Sequence, residues 1–391
     1  MSSLKSTSLW LDSLAVTEPT ILVAEDRARA NIAAMADKAK SSGVVFRPHF
    51  KTHQSGEIGR WFADAGVDCI TVSSLPMAQY FAEFGWHDIL LAFLVNPRQL
   101  PRLAELAGTL DRRGGRLGLT VDSPVTVAAI AEHQGLKADI WLKLDTDYGR
   151  TGVWWEDAAA LTELYLEAQA AGRSLTVSGL LTHSGQSYHA TDRRQLKTIF
   201  TDTVGRLQAA RQRIASAGAV ELRTSLGDTP CCSTMDSLAG VDEIRPGNFV
   251  FYDLMQLGLG ACGAKDLAAA VACPVVGVYP ERCEVVFHGG AVHLAKESLS
   301  GPDGKLLYGC LGTARATAKG PLEPGEVLTR VPVVSLSQEH GTARFTPREF
   351  AELACDLIPG DLVLVWPVHS CLTCDLHREY RTFTGRTIPR R

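Results

Sequence analysis

The chain has 391 residues, 46% of them apolar and 21% charged, with a net charge of −4. These values fit a globular protein of two or three domains, or a large barrel with a further domain, and argue against a chain that wraps nucleic acid or lies on anionic lipid. The start lacks an apolar signal core, no run approaches a membrane span, and 10 cysteines are too dilute for a disulfide scaffold, so a cytoplasmic location is expected.

Short β-branched runs alternate with helical patterns along the first two thirds of the chain. Strands are expected at Thr20–Ala24, Val44–Pro48, Cys69–Ser73, Asp88–Val95, Arg116–Asp122, Asp139–Asp145, Thr176–Thr182, Glu221–Leu226 and Glu243–Phe251. Helices are expected over Asp26–Lys40, after Asp122-Ser-Pro-Val with its capping residue and first-turn proline, and over Trp155–Ala171 and Arg193–Ala217. The alternation predicts a parallel sheet with crossovers. Nine strands exceed a closed eight-stranded barrel by one, and Thr20–Ala24 is the strand that would join a second domain. Beyond about residue 268 the rhythm turns mainly β, with strands at Val271–Tyr279, Glu284–His288, Val327–Leu336 and Asp361–Val368 and turns at Gly301-Pro-Asp-Gly304 and Pro359-Gly360. The expected architecture is an α/β chain: an N-terminal segment (1–19), a (β/α)8 TIM-type barrel (20–268) and a β domain (269–391).

In a parallel barrel, chemistry sits at the C-terminal ends of the strands. Five polar clusters fall there: Arg47-Pro-His-Phe-Lys-Thr-His53, Asp145-Thr-Asp-Tyr-Gly-Arg150, His183-Ser-Gly-Gln-Ser-Tyr188, Ser225-Leu-Gly-Asp-Thr-Pro230 and Arg245-Pro-Gly-Asn248. Lys51, among Arg47, His49 and His53, is a Schiff-base candidate if neighbouring cations lower its amine pKa, although a lysine taken alone is more often an exposed turn residue. The glycine-containing turns after Ser225 and Arg245 could cradle a phosphate. A lysine and a phosphate cradle on one rim suggest pyridoxal phosphate. Late in the chain, Pro367-Val-His369-Ser-Cys371-Leu-Thr-Cys374-Asp-Leu-His377 allows three readings. His369 and Cys371, on one face of a strand, would form an open metal pair; with Cys374 and His377 they would form a closed four-ligand zinc; or both cysteines are buried hydrophobes. Cys231 and Cys232 are expected to pack at a helix start, and Glu339-His340-Gly341 either reaches a site or forms a surface turn.

Taken together these motifs resemble the D-serine dehydratase and D-threonine aldolase family, pyridoxal phosphate enzymes of fold type III with an alanine racemase-like barrel. The lysine signature, His183-x-Gly-x-Ser-Tyr188, Ser225-x-Gly-x-Thr-Pro230, Arg245-Pro-Gly247, Phe251-Tyr-Asp253 and His369-x-Cys371 follow the family's order over nearly the whole chain. The resemblance implies that Lys51 carries pyridoxal 5'-phosphate as a Schiff base, and that Gly227, Asp228 and Thr229, with Gly247 and Asn248, hold the phosphate. It places Tyr188 near the cofactor ring, Arg150 near its phenolic oxygen and Arg245 near its pyridine nitrogen. His183, Ser225 and Tyr252 complete the implied cofactor-binding set. His369 and Cys371 become the pair for a divalent metal, zinc first and manganese second. A homodimer is implied, in which the β domain of one chain closes the other's barrel mouth. Two departures stand out: Asp228 replaces a common small hydroxyl residue, and Phe287-His-Gly-Gly-Ala-Val-His-Leu294 lacks an acidic residue that many relatives carry.

The implied activity is a lyase reaction on a small D-3-hydroxy amino acid. Dehydration of D-serine or D-3-hydroxyaspartate to a 2-oxo acid and ammonia is preferred, because the cysteine of His369-x-Cys371 resembles the dehydratase branch. Lys51 is then the base at Cα. The alternative is a D-threonine-type aldolase, with His49, His53 or a water as base toward the hydroxyl. A non-catalytic cofactor-binding protein and an amino-acid racemase are the readings from other classes.

Overall fold

The computed structural model describes residues 3–133, 135–172, 175–218, 221–301, 304–317 and 322–391. The chain forms two compact units, Ile32–Gly247 with Arg391, and Met1–Asn31 with Asn248–Arg390.

The first unit is a parallel barrel sheet. Its strands run in the order Val45–Phe46, Glu243–Ile244, Arg223–Gly227, Leu175–His183, Ala138–Asp145, Arg116–Val121, Asp88–Leu94 and Cys69–Val72. The two ends of that order meet through a parallel bridge between His49 and Thr71, where the Phe50 N–H donates to the Thr71 carbonyl and the Thr71 N–H to the Pro48 carbonyl, both at 2.9 Å. Helices Gly56–Asp64, Leu75–Glu83, Leu100–Asp111, Pro124–Glu132, Ala158–Ala170 and Arg193–Ala215 connect the strands. Capping side chains set several of their starts: Ser55, Ser74, Asp157 and Asp192 each accept a backbone N–H of the first turn.

Three differences from the sequence expectation have local causes. The strands expected at Val44–Pro48 and Glu243–Phe251 are only Val45–Phe46 and Glu243–Ile244. Pro48 and Pro246 each lack an N–H for the ladder, and the chain after Gly247 turns into a short 3-10 segment, Asn248–Val250. Asp122 does not cap the following helix; Ser123 holds the cap position without a side-chain bond, and the Asp122 carboxylate accepts the Gly152 N–H at 3.0 Å.

Inside the barrel, Trp141 packs with Leu90 and Leu181, all at most 2% exposed. The indole fits because Gly179 leaves it room: a Cβ there would lie 2.8 Å from the ring and 2.2 Å from the Arg223 carbonyl oxygen. On the far side, the Arg223 guanidinium stacks over the indole at 4.9 Å.

The second unit holds a nine-stranded sheet. Glu284–His288 pairs with both His340–Arg344 and Ala269–Tyr279, which closes six of the strands into a ring through Leu322–Leu336, Gly309–Ala316 and Leu362–Pro367. Thr20–Val23 pairs antiparallel with Ala269–Ala272 and parallel with Glu379–Thr382, so this early strand lies in the β sheet. The N-terminal helix Leu4–Leu11 packs on the same unit, tied by Lys5 and Ser8 to Asp361 at 2.8 and 3.1 Å. Of the turn expected at Gly301-Pro-Asp-Gly304, Pro302 and Asp303 lie outside the described residues. No helix among the described residues is long and apolar enough to cross a membrane.

Truncation of the barrel's central indole should be costly. Trp141→Ala is expected to destabilise the protein by about 3–5 kcal/mol, read as a lower urea midpoint by circular dichroism. A change below about 1 kcal/mol would show that the barrel interior is not packed around this ring.

Candidate functional site

The lysine turn is built from both sides of the barrel's seam. After Val45–Phe46, the Arg47 N–H donates to Ile244 and the His49 N–H to Pro246, at 3.0 and 2.8 Å, while Phe50 bonds across to Thr71. This holds Lys51 on the rim, exposed, with its backbone N–H donating to His49 Nδ1 at 3.3 Å. Burial, then the charges of Lys51 and Arg245, push His49 well below the usual histidine range, so the ring is neutral. His183 behaves alike: burial first, then Lys51 and Arg150, keep it neutral, although its Nδ1 pairs with the Gly227 carbonyl.

His53 points elsewhere. Its ring packs against Phe50, Phe62 and Phe81 at centroid distances of 4.5, 5.5 and 5.8 Å, and its Nδ1 accepts the Ser55 N–H. That surrounding gives the ring a packing role in an aromatic cluster, apart from its expectation as a base toward the substrate hydroxyl.

Arg245 is buried, 5% exposed, and donates from Nη1 to Ser225 and from Nη2 to the Thr182 carbonyl at 2.5 Å. Ser225 donates to Glu243 at 2.6 Å, and Glu243 accepts Arg47 Nε at 2.6 Å. Arg47 also grips Asp88, with Nη1 to Oδ1 at 2.5 Å. Arg47 therefore belongs to an internal ion network and not to the rim. Burial lowers Arg245 to about 10. Lys143, which the sequence reading missed, is 5% exposed on Ala138–Asp145. Burial, with Arg245 and Arg150 nearby, lowers its amine to about 8. Strand alternation alone could have shown Lys143 facing inward between apolar neighbours.

Arg150 sits on a loop folded around Asp145, whose carboxylate accepts the N–H groups of Asp147, Tyr148 and Gly149 at 2.9–3.1 Å. Its guanidinium lies over the Tyr148 ring at 4.9 Å, and Tyr148 meets the His183 ring edge-on at 5.5 Å. Tyr188 follows His183, and its hydroxyl accepts the Thr229 N–H at 3.4 Å; Thr229 Oγ1 in turn accepts the Gly247 N–H at 3.1 Å. Hydrogen bonds thus tie His183 to Gly227, Tyr188 to Thr229 and through it to Gly247, and Arg245 to Ser225, on neighbouring strand ends of the barrel.

Asp228 lies between Gly227 and Thr229 but turns its carboxylate to its own helix, accepting the Cys231 N–H at 2.6 Å as the cap of Thr229–Thr234. Its side chain does not present an anion to a phosphate. Cys231 and Cys232 are buried in that helix, as expected from the sequence. Asn248 and Tyr252 fall in the other unit: Asn248 Nδ2 donates to Asp253 at 2.8 Å, and Tyr252 adopts a left-handed backbone at φ 48.

In the second unit, the His369–Cys371 stretch is not a strand. The strand Leu362–Pro367 ends first, His369 precedes the helix Ser370–Asp375, and Cys371 lies in its first turn. The two side chains still converge, because a helix start curls residue i+2 back toward the cap. His369 Nδ1 lies 2.5 Å from Glu297 Oε2. Burial opposes the charge, but Cys371 and then Glu297 outweigh it and hold His369 protonated, pushed up to about 11. A cation is thus already favoured between a thiol and a carboxylate, which is the donor chemistry of a zinc-class ion. The closed four-ligand alternative does not form: His377 Nε2 bonds to the His293 carbonyl at 3.0 Å, and Cys374 is buried beside Tyr380. Glu297 was not legible in the sequence, since it lies 72 residues away across the sheet. All 10 cysteines are free thiols.

Burial raises the Asp228 carboxyl to about 6. The folded state therefore binds this proton more tightly than the unfolded state does, and stability is lost as pH rises from about 4 through 6. Cofactor-free protein should lose about 3 kcal/mol from this group over that window. Asp228→Asn, which keeps the cap but cannot ionise, should flatten the dependence; the comparison is of urea midpoints at acidic and neutral pH.

The model of the alanine racemase N-terminal domain matches residues 23–254, and that of a putative serine dehydratase domain matches residues 268–383. The chain is 31% identical to the D-threo-3-hydroxyaspartate dehydratase of Delftia sp. strain HT23, covering 95% of this chain and 93% of that one. It is 28% identical to the D-serine dehydratase of Dictyostelium discoideum, over 94% and 93% of the two chains. The solved Delftia structure superposes with a TM-score of 0.83 at 26% identity, covering 100% and 99% of the two chains. A D-threonine aldolase from Filomicrobium marinum shares the fold, with a TM-score of 0.76 at 20% identity over 96% and 94%. The neutral histidines and buried cations around Lys51 thus stand in a known scaffold: this chain belongs to the lyase family that joins an alanine racemase N-terminal domain to a serine dehydratase domain.

Proposed function

We propose that the protein is a pyridoxal phosphate- and metal-dependent lyase that dehydrates a D-3-hydroxy amino acid, D-serine or D-3-hydroxyaspartate, to a 2-oxo acid and ammonia. The observation that carries this reading is the cation set of the barrel. Arg245 and Lys143 are buried, Lys51 and Arg150 stand at the rim, and the intervening histidines are neutral. Such a set fits a ligand with a phosphate, a phenolate and a carboxylate. The bound cofactor supplies an electron sink for charge released at the substrate's Cα.

In this reading Lys51 would hold the cofactor, and its amine would move the proton at the substrate's Cα. His49, neutral and bonded to the Lys51 turn, can accept a proton without competing for the cofactor's charge. Arg150 and Arg245 orient the ring. Thr229, Gly247 and Tyr188 supply polar groups for the phosphate, and Asp228 serves by capping the segment that carries them. The unit Ile32–Gly247 is the cofactor-binding one, narrower than the 20–268 read from the sequence, and the second unit carries the metal pair His369 and Cys371, held in position by Glu297. A divalent ion bound there would supply Lewis acidity. A solved mutant of a D-threo-3-hydroxyaspartate dehydratase is in a metal-free form, which supports including a metal. A cytoplasmic homodimer completes the proposal, and light scattering of the purified protein tests its stoichiometry.

The purified protein should turn D-serine or D-3-hydroxyaspartate into pyruvate or oxaloacetate with ammonia. Release of glycine and an aldehyde from D-threonine, without oxo acid, would move it to the aldolase reading. Lys51→Ala should abolish the borohydride-reducible chromophore; its persistence would defeat the assignment of Lys51. Cys371→Ala should remove the near-ultraviolet thiolate-to-metal band of the cobalt-loaded protein and reduce turnover by roughly a hundredfold or more.

A further inference from the structure

The glycine-rich segment after Glu284–His288 carries a second set of metal donors. His288 and His293 meet with their rings nearly perpendicular, 5.1 Å between centroids. Both point Nε2 at one carboxylate oxygen, Glu339 Oε2, from 3.5 and 4.0 Å. One ligand atom from each of the three residues can be chosen so that all lie within 4.8 Å of one another. These separations are too long for good hydrogen bonds. They are near the roughly 3 to 3.5 Å between ligand atoms that share an ion at 2.0–2.2 Å. His293 Nδ1 is buried without a hydrogen-bonding partner among the described residues, so no hydrogen bond at that nitrogen fixes the ring.

The backbone holds the donors in place. The strand register puts His288 opposite His340, next to Glu339. The N–H groups of Gly289, Ala291 and Val292 donate to the carbonyls of Glu339, Ser337 and Gln338, at 2.8, 2.8 and 3.3 Å. Gly290 permits this contact, since a Cβ there would lie 2.2 Å from the Gln338 carbonyl oxygen. The two segments are therefore clamped together before any ion arrives. Two imidazoles and one carboxylate are a donor set for first-row divalent ions that leaves further positions open.

We infer that His288, His293 and Glu339 form a second divalent-metal site that takes a zinc-class ion, separate from the His369–Cys371 pair. It depends on neither the cofactor nor the metal reading given above. The site needs only a small swing of the half-exposed Glu339 side chain to close the longer separations.

Cobalt(II) titration of the chelator-stripped, full-length protein tests it, with visible absorption and metal content after dialysis as readouts. The background is the double variant His369→Ala/Cys371→Ala, which removes the other pair. That protein should still bind cobalt in a one-to-one complex without a thiolate band. Adding His288→Ala or Glu339→Gln should weaken this binding at least roughly tenfold. Glu339 lies on an exposed turn, so Glu339→Gln reports on the site without loss of packing, and circular dichroism checks that each variant is folded. Absence of cobalt binding in the double variant, or binding that neither further substitution weakens, would overturn the inference. Loss of the thiolate band alone bears on His369 and Cys371 and leaves this site standing.

Discussion

The barrel concentrates positive charge where water is scarce. Arg245 and Lys143 are each 5% exposed; Lys143 feels Arg245 and Arg150, and Arg245 feels Arg47. Like charges in a low-dielectric interior repel strongly, and burial alone already disfavours them. The protein meets this cost in two ways. Glu243 accepts Arg47 directly and reaches Arg245 through Ser225, which anchors the inner end of the group. At the outer end His49 and His183 stay neutral, so the rim around Lys51 gains no further charge. The remaining imbalance leaves the mouth of the barrel with a positive field.

The β unit follows the opposite logic. His369 is surrounded by acidic or acceptor groups: Cys371, Glu297 and, further off, Asp253. Asp253 is itself fixed by four donors, the N–H groups of Ser370 and Gln256, the Ser370 hydroxyl and the Asn248 amide. Burial raises its pKa, and those bonds restrain it. A local excess of anionic donors favours a cation, here the proton on His369. Two charge patterns of opposite sign are thus built by the same means, burial followed by selective hydrogen bonding.

Much of the fold was legible because its signals are local. Alternating β-branched runs and amphipathic helices marked most of the barrel strands within a few residues, and the excess strand Thr20–Val23 does lie in the β sheet. The strand ends misjudged were those where a proline interrupts the ladder, Pro48 and Pro246, because apolar pattern continues past the point where donors stop. Of the motif residues, His49 and His183 lie within reach of the Lys51 charge, whereas the His53 ring turned into an aromatic cluster, Arg47 into an ion network, and Asn248 and Tyr252 fall in the other unit. Glu243 and Glu297 were not legible because each acts through a partner remote in sequence, Arg47 for one and His369 for the other.

The sequence by itself determined the alternation that makes a parallel barrel and the placing of Lys51, Arg150, His183 and Thr229 at strand ends, while it left the pairing of His369 with Cys371 as one of three readings. The first two follow from periodicity and from motifs a few residues long. Only the tertiary structure decided which charges are paired and which are left seeking a partner. It turned Asp228 inward to cap a helix, placed Arg47 in an ion network, set Glu297 against His369, and clamped Glu339 beside His288 and His293. The physical reason is that a side chain's charge state and direction depend on burial and on neighbours brought from distant parts of the chain, and local pattern does not encode either.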